Sequence, residues 1–208
     1  MRILNIGCGN DTYGTDFIDL YPQRDEVKKC AIDSEAFPFE DNTFDEIRMH
    51  FVFEHLKNHE HTLKEAYRVL KIGGKLELKT DNAGYWYYAL DQSTHTGRYE
   101  RDSDYGEFDR HFGLFTDHHL KNYFEEVGFK NIETKNSYEN AKPRGNKLSI
   151  KGRIVLIINF ILSHIPPIKR IGQSEVQIIG VKEWTLKNSK NSWKNKWKRW
   201  KGIMKRLF

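Results

Sequence analysis

Only two cysteines occur in 208 residues. Cys8 lies in a glycine-bearing turn and Cys30 in a predicted strand, so neither a disulfide framework nor a cysteine metal site is implied, and a reducing cytoplasm is the expected compartment. Long hydrophobic runs are missing as well. The longest apolar stretch, 154–165, is interrupted by Asn159, Ser163 and His164 and falls short of the roughly 18 residues that span a bilayer. The opening MRILNIGCGN has no secretory leader core, being broken by Asn5 and Gly7. There is no internal repeat. These absences leave a chain expected to be soluble or to rest on a membrane surface. Its 38% hydrophobic and 13% aromatic residues are enough for one packed domain and too many for a disordered chain.

Charge is unevenly spread. From Lys182 onward there are ten Lys or Arg and one acid, so this stretch supplies +9 and the remainder −4 of the net +5. The basic character belongs to a tail, 186–208, appended to a mildly acidic body, 1–185. Within the tail Trp193, Trp197, Trp200, Met204 and Leu207 recur at spacings of four and three, one face of a helix. Lys194, Lys198, Arg199, Lys201 and Arg206 fall mostly elsewhere. A Trp-rich face beside a basic face is the pattern of an interfacial amphipathic helix. Three readings stay open for it: an anionic membrane surface, docking on its own body, or a nucleic-acid or protein partner.

Along the body, RILNI reads as a strand running into Gly7-Cys8-Gly9. GTDFIDL, ending at Asp19, is a second strand, EVKKCAID (26–33) a third and FDEIRMHF from Phe44 a fourth. Leu63, Ala66, Tyr67 and Leu70 fall at helical spacing, with Gly73-Gly74 expected to end that helix. KLELKT then alternates with period two as a fifth strand. Thr116-Asp117 caps a helix that Gly128 ends. FKNIETK and SEVQIIGVKEW are the sixth and seventh strands, separated by an insertion, 138–173. This order predicts an α/β sheet.

Four segments, in order, resemble one family. LNIGCGN is similar to the first motif of class I S-adenosylmethionine (SAM)-dependent methyltransferases, and Asp19 stands where these enzymes hold the ribose. DSEAFPFEDNTFDEI resembles their adenine-binding segment, and EHLKN…EAYRVLKIGGKLEL the turn before strand five. The resemblance covers about residues 2–136 and strand seven. It implies a doubly wound, seven-stranded Rossmann-like sheet with SAM at its carboxyl edge. Glycines at 7 and 9 suit a sharp turn whose backbone N–H groups approach a ligand. The implied cofactor-binding residues are Asn5, Gly7, Cys8, Gly9, Asp19, Asp33, Ser34 and His50, with Glu35 adding a backbone contact. Phe37, Pro38 and Phe39 would form an apolar wall for the base, although both phenylalanines suit the core equally.

Three departures stand out. An acid is usual where Asn5 stands, a third glycine is usual near Asn10, and Ile72 replaces a proline. The larger departure is length, since about a dozen residues separate Gly7 from Asp19. Parallel strands normally need a crossover of a dozen or more residues, so the first two crossover helices are expected to be missing. Parallel sheets are normally covered on both faces. The apolar segment 154–165 is therefore expected to cover the bared face, with a homodimer partner as the alternative.

Methyl transfer needs alignment first and a base only where the nucleophile carries a proton. The catalytic candidates are His50, His55, Asp81 and His111, with Glu54 beside them. Glu54-His55 resembles half of the Glu-x-x-Glu-His metal motif of some O-methyltransferases, but Phe51 stands at the first Glu, and no metal site is expected. His95, His111, His118 and His119 lack ligand spacing. Segments 82–115 and 138–173 are the expected substrate lids, the former holding the aromatic cluster Tyr85, Trp86, Tyr87 and Tyr88. MHFVFEHL after strand four lacks the Pro-Pro motif of amino-methylating nucleic-acid enzymes. The expected acceptor is a small molecule, a glycan or a lipid-linked molecule, handled in the cytoplasm or at the inner membrane surface. The alternatives are an RNA methyltransferase using the tail and a SAM-binding module without catalysis.

Overall fold

The computed structural model describes residues 1–86, 111–137, 150–166 and 168–183. The tail helix, Tyr87, Tyr88, His95 and the greater part of segment 82–115 lie outside the described residues, as does 138–149.

Seven strands form one sheet in the order β3-β2-β1-β4-β5-β7-β6. They are β1 (Ile3–Ile6), β2 (Asp16–Asp19), β3 (Val27–Lys29), β4 (Phe44–His50), β5 (Leu70–Asp81), β6 (Lys130–Ser137) and β7 (Glu175–Val181). The first five run parallel, and β7 is antiparallel to both β5 and β6. Chain order reverses between β1 and β4, the switch point at which open α/β sheets bind ligands.

The helices are α1 (His59–Val69), α2 (Asp117–Val127) and α3 (Ile150–Ser163). Asn58 caps α1, its side chain accepting the His61 N–H. Thr116 caps α2 with a reciprocal bond from His119, and Gly128 closes it in the left-handed conformation at φ +111°. α1 ends earlier than the two-glycine signal suggests. Leu70 is already extended and opens β5, so Gly73 and Gly74 lie inside a strand whose pairing with β4 shifts register. Lys182, buried, takes over the cap: its ammonium donates to the carbonyls of Tyr67, Arg68 and Leu70 and to the Asn42 side chain. Burial lowers its pKa to about 8.

No helix joins β1 to β2 or β2 to β3, as the sequence predicts. The strands to be crossed are only four and three residues long, about 10–13 Å at 3.3 Å per residue, so short loops can return the chain.

The face left without crossover helices is charged on β4 and β5 and carries the buried Ile3, Phe17 and Val27 on β1, β2 and β3. Register puts Leu4, Ile6, Ile18, Ile47, Met49, Leu76, Leu78 and Ile178 on one side, buried beneath α1 and α2. The intervening positions Asn5, Glu46, Arg48, His50, Lys75, Glu77 and Lys79 share the other side. Lys75 pairs with Glu46 at 3.0 Å, His50 with Glu77 at 2.7 Å and Lys79 with Glu175 at 2.7 Å. The abbreviated loops lie over this face: the Tyr13 hydroxyl donates to Glu46, Arg48 stacks on the Tyr13 ring, and Arg24 stacks on Phe17.

The expectation that segment 154–165 covers the sheet is thereby corrected. That segment forms most of α3, which leaves Ile154, Ile157, Phe160 and Ile161 each at least half exposed.

Candidate active site

The first loop is shaped by Gly7. Its φ is +63°, and a Cβ there would lie 2.3 Å from a Val52 methyl, so only glycine fits. The Gly7 N–H donates to the Ile18 carbonyl, tying the loop to β2. Gly9, also at positive φ, donates its N–H to the Asp19 carboxylate at 2.9 Å, and Tyr21 N–H donates to the other oxygen at 2.9 Å. Asp19 is nearly buried at the end of β2. Each carboxylate oxygen thus accepts one backbone bond and keeps a lone pair for a further donor, such as a ribose hydroxyl.

Cys8 is buried against Phe17 and Val27, and burial raises its thiol to about 11. Asn5 is buried and donates its amide to the Tyr13 carbonyl at 3.0 Å, so it braces the loop from beneath. Asp33 lies beyond β3, its carboxylate 3.4 Å from the Lys57 N–H. Ser34 is exposed in a turn closed on the Ala31 carbonyl. Phe37 lies in the main core and Phe39 packs edge-on against Phe44, so both rings of the expected adenine wall face inward.

The catalytic candidates divide. His50 sits on the charged face with both ring nitrogens engaged, Nε2 by Glu77 and Nδ1 by Arg48 Nε at 3.1 Å. Burial and Arg48 hold its pKa below the ordinary imidazole value. Its bonds place it in the charged ladder.

The other three meet at the carboxyl ends of β4 and β5. A short 3-10 turn, Phe53–His55, follows β4. The Phe112 and Gly113 N–H groups both donate to the Glu54 carbonyl, bringing His111 across to His55, and the two imidazole rings stand 4.6 Å apart, edge to face. His111 Nδ1 lies 3.8 Å from an Asp81 carboxylate oxygen. Beneath them the fully buried Glu54 accepts the Thr80 hydroxyl at 2.7 Å. Donor atoms of Glu54, His55 and His111 all fall within 4.8 Å of one another, near enough for a divalent cation to gather them by a small contraction. The sequence signals Glu54-His55, but the pairing with His111 rests on a backbone contact that no local pattern announces.

A family model described as a methyltransferase domain matches residues 1–134. The chain belongs to the class I SAM-dependent methyltransferases. Its cofactor is SAM. A ubiquinone/menaquinone biosynthesis C-methyltransferase of a Ruegeria species is 29% identical over 126 residues, which span 57% of this chain and 48% of that relative. The fold is shared with a SAM-dependent methyltransferase of Thermotoga maritima at TM-score 0.57 and 20% identity, covering 88% of this chain and 82% of the other. It is shared equally with one from Archaeoglobus fulgidus at TM-score 0.55 and 18% identity, covering 87% and 86%. The residues present fit SAM: Gly7 and Gly9 turn the loop at positive φ, and the nearly buried Asp19 beside it keeps lone pairs for ribose hydroxyls.

Proposed function

We propose that this methyltransferase acts on a proton-bearing nucleophile, a hydroxyl or amine, of a small-molecule, glycan or lipid-linked acceptor. The observation that supports this reading is the placement of His111 between Asp81 and His55 at the carboxyl edge of β4 and β5. SAM supplies a methyl group activated by its sulfonium. Asp19 and the loop from Gly7 to Gly9 hold the nucleoside and the amino-acid portion. His111 is the base: its ring would accept the acceptor's proton, leaving the nucleophile free to take the methyl group that bound SAM would supply. The Asp81 carboxylate stabilises the imidazolium so formed. His55 packs against the ring and fixes its orientation.

Labelled SAM offered with lipid extracts, soluble glycans and tRNA tests the acceptor class. Incorporation into tRNA alone overturns the proposal and favours RNA. With the acceptor found, His111→Gln is expected to lower kcat about 10²–10⁴-fold, the usual contribution of a positioned base, while SAM affinity stays unchanged. Unchanged turnover removes His111 from the role. Activity abolished by EDTA and restored by a divalent cation assigns Glu54, His55 and His111 to a metal instead.

A further inference from the structure

α3 is apolar on its outer face as well as its inner one, where Val155, Leu156, Ile158 and Leu162 are half-buried. Ile154, Ile157, Phe160 and Ile161 lie outward, 50–59% exposed, and Ile165 and Ile168 extend the patch beyond the helix. On the opposite side Asn159 is fully buried, its amide oxygen accepting from the Tyr85 hydroxyl at 3.0 Å and Trp86 Nε1 at 2.7 Å. A helix packed on a protein normally puts its apolar stripe inward and its polar residues in water.

The charge of this stretch of sequence suits one kind of partner. Between Glu139 and Glu175 the sequence has no acidic residue and seven Lys or Arg. Arg153 and Lys169 are exposed beside the apolar stripe, as is Arg170, whose guanidinium pairs with Asp117 at 3.1 Å. At 14 residues the helix is too short to cross a bilayer, and among the described residues no helix is long and apolar enough to do so. An apolar face in a basic setting fits the boundary between acyl chains and anionic headgroups.

The surface is also fixed beside the chemistry. Asn82, next to Asp81, donates its amide to the carbonyls of Arg170 at 3.1 Å and Gln173 at 2.8 Å. Together with the Asn159 contacts, this clamps α3 and the turn after it to the end of β5.

We propose that α3 is an interfacial helix that seats the mouth of the active site on an anionic lipid surface, so that the acceptor is presented from the bilayer. This rests on the lipid-linked reading of the acceptor and assigns the membrane contact to α3. The full chain is co-sedimented with phosphatidylglycerol/phosphatidylcholine vesicles and with phosphatidylcholine alone, at two salt concentrations, and SAM binding is measured in parallel by calorimetry. The parent is expected to bind the anionic vesicles, less so at high salt. Ile157→Ser/Phe160→Ser/Ile161→Ser should reduce the bound fraction at least tenfold with SAM affinity unchanged, and Arg153→Glu/Lys169→Glu should reduce binding to anionic vesicles alone. A parent that stays in the supernatant overturns the proposal. So does a triple variant that sediments like the parent, which assigns lipid binding to another segment. A parent dimer that the triple variant splits, with no vesicle binding, gives the face to a second copy. Loss of SAM binding in the parent would instead refute the methyltransferase reading, whatever the vesicles show.

Discussion

On one face of the sheet Leu4, Ile47, Met49, Leu76 and Leu78 are fully buried under α1 and α2. On the other, one residue away along the same strands, stand Glu46, Arg48, His50, Lys75, Glu77 and Lys79. The first face is held by exclusion of water, the second by ion pairs and by the stems and rings of Arg24, Arg48 and Tyr13 laid across it. The comparison teaches how a doubly wound fold can lose two crossover helices. On that side β4 and β5 carry the charged ladder, while Ile3, Phe17 and Val27 of β1, β2 and β3 are buried there, with the short loops and the Arg24 stem over them, and the switch point keeps its glycine loop.

The sharpest way to break the comparison is to exchange the costs of the two faces. Leu78→Ala should destabilise by about 2–5 kcal/mol, from lost burial plus the cavity left behind. Thermal or denaturant unfolding measures this, and a cost below about 1 kcal/mol would show that the helix-covered face is not the main core. Next comes the clasp across the end of α1. Lys182→Met leaves the Tyr67 and Leu70 carbonyls without their donor and should cost about 1–3 kcal/mol, the range for buried polar groups left unpaired.

The histidines give a smaller effect with a definite sign. The pKa values of His50 and His59 are both lowered, chiefly by burial. Below about pH 6.5, the ordinary imidazole value, the unfolded chain takes up protons that the folded chain refuses. Stability should therefore fall as pH drops through that value. The slope should lessen in His50→Asn and again in His59→Phe. A melting temperature flat between pH 7 and 5.5 would contradict both assignments. The smallest effect expected is that of Lys64→Ala, which removes an exposed pair with Glu60 on α1 and should change stability by no more than about 1 kcal/mol.

Much of this was legible beforehand, because the signals are local. The glycine loop, the acid at Asp19, the caps at Thr116 and Gly128 and the absence of the first crossovers can all be read from neighbouring residues. So could the one-sided sheet, since FDEIRMH and KLELKT alternate as a half-solvated strand does. The rule that parallel sheets are covered on both faces outweighed that alternation. The early end of α1 was hidden because Lys182, far along the chain, supplies its cap. The site divided on the same principle. Glu54-His55 is a local signal, whereas the approach of His111 depends on Phe112 and Gly113 reaching the Glu54 carbonyl. The bond from His50 to Glu77 likewise joins residues on neighbouring strands. Asn159 looked like an interruption of an apolar run and is instead the buried anchor of α3.

The claim on which the account depends is that this shortened sheet still holds SAM through Asp19 at the end of β2. Calorimetric titration of SAM into the parent chain and into Asp19→Ala tests it directly. The parent should bind, and the variant should lose about 1.5–3 kcal/mol, the range for a hydrogen bond to a charged group, or roughly 10- to 150-fold in affinity. An unchanged dissociation constant in a correctly folded Asp19→Ala chain would contradict it.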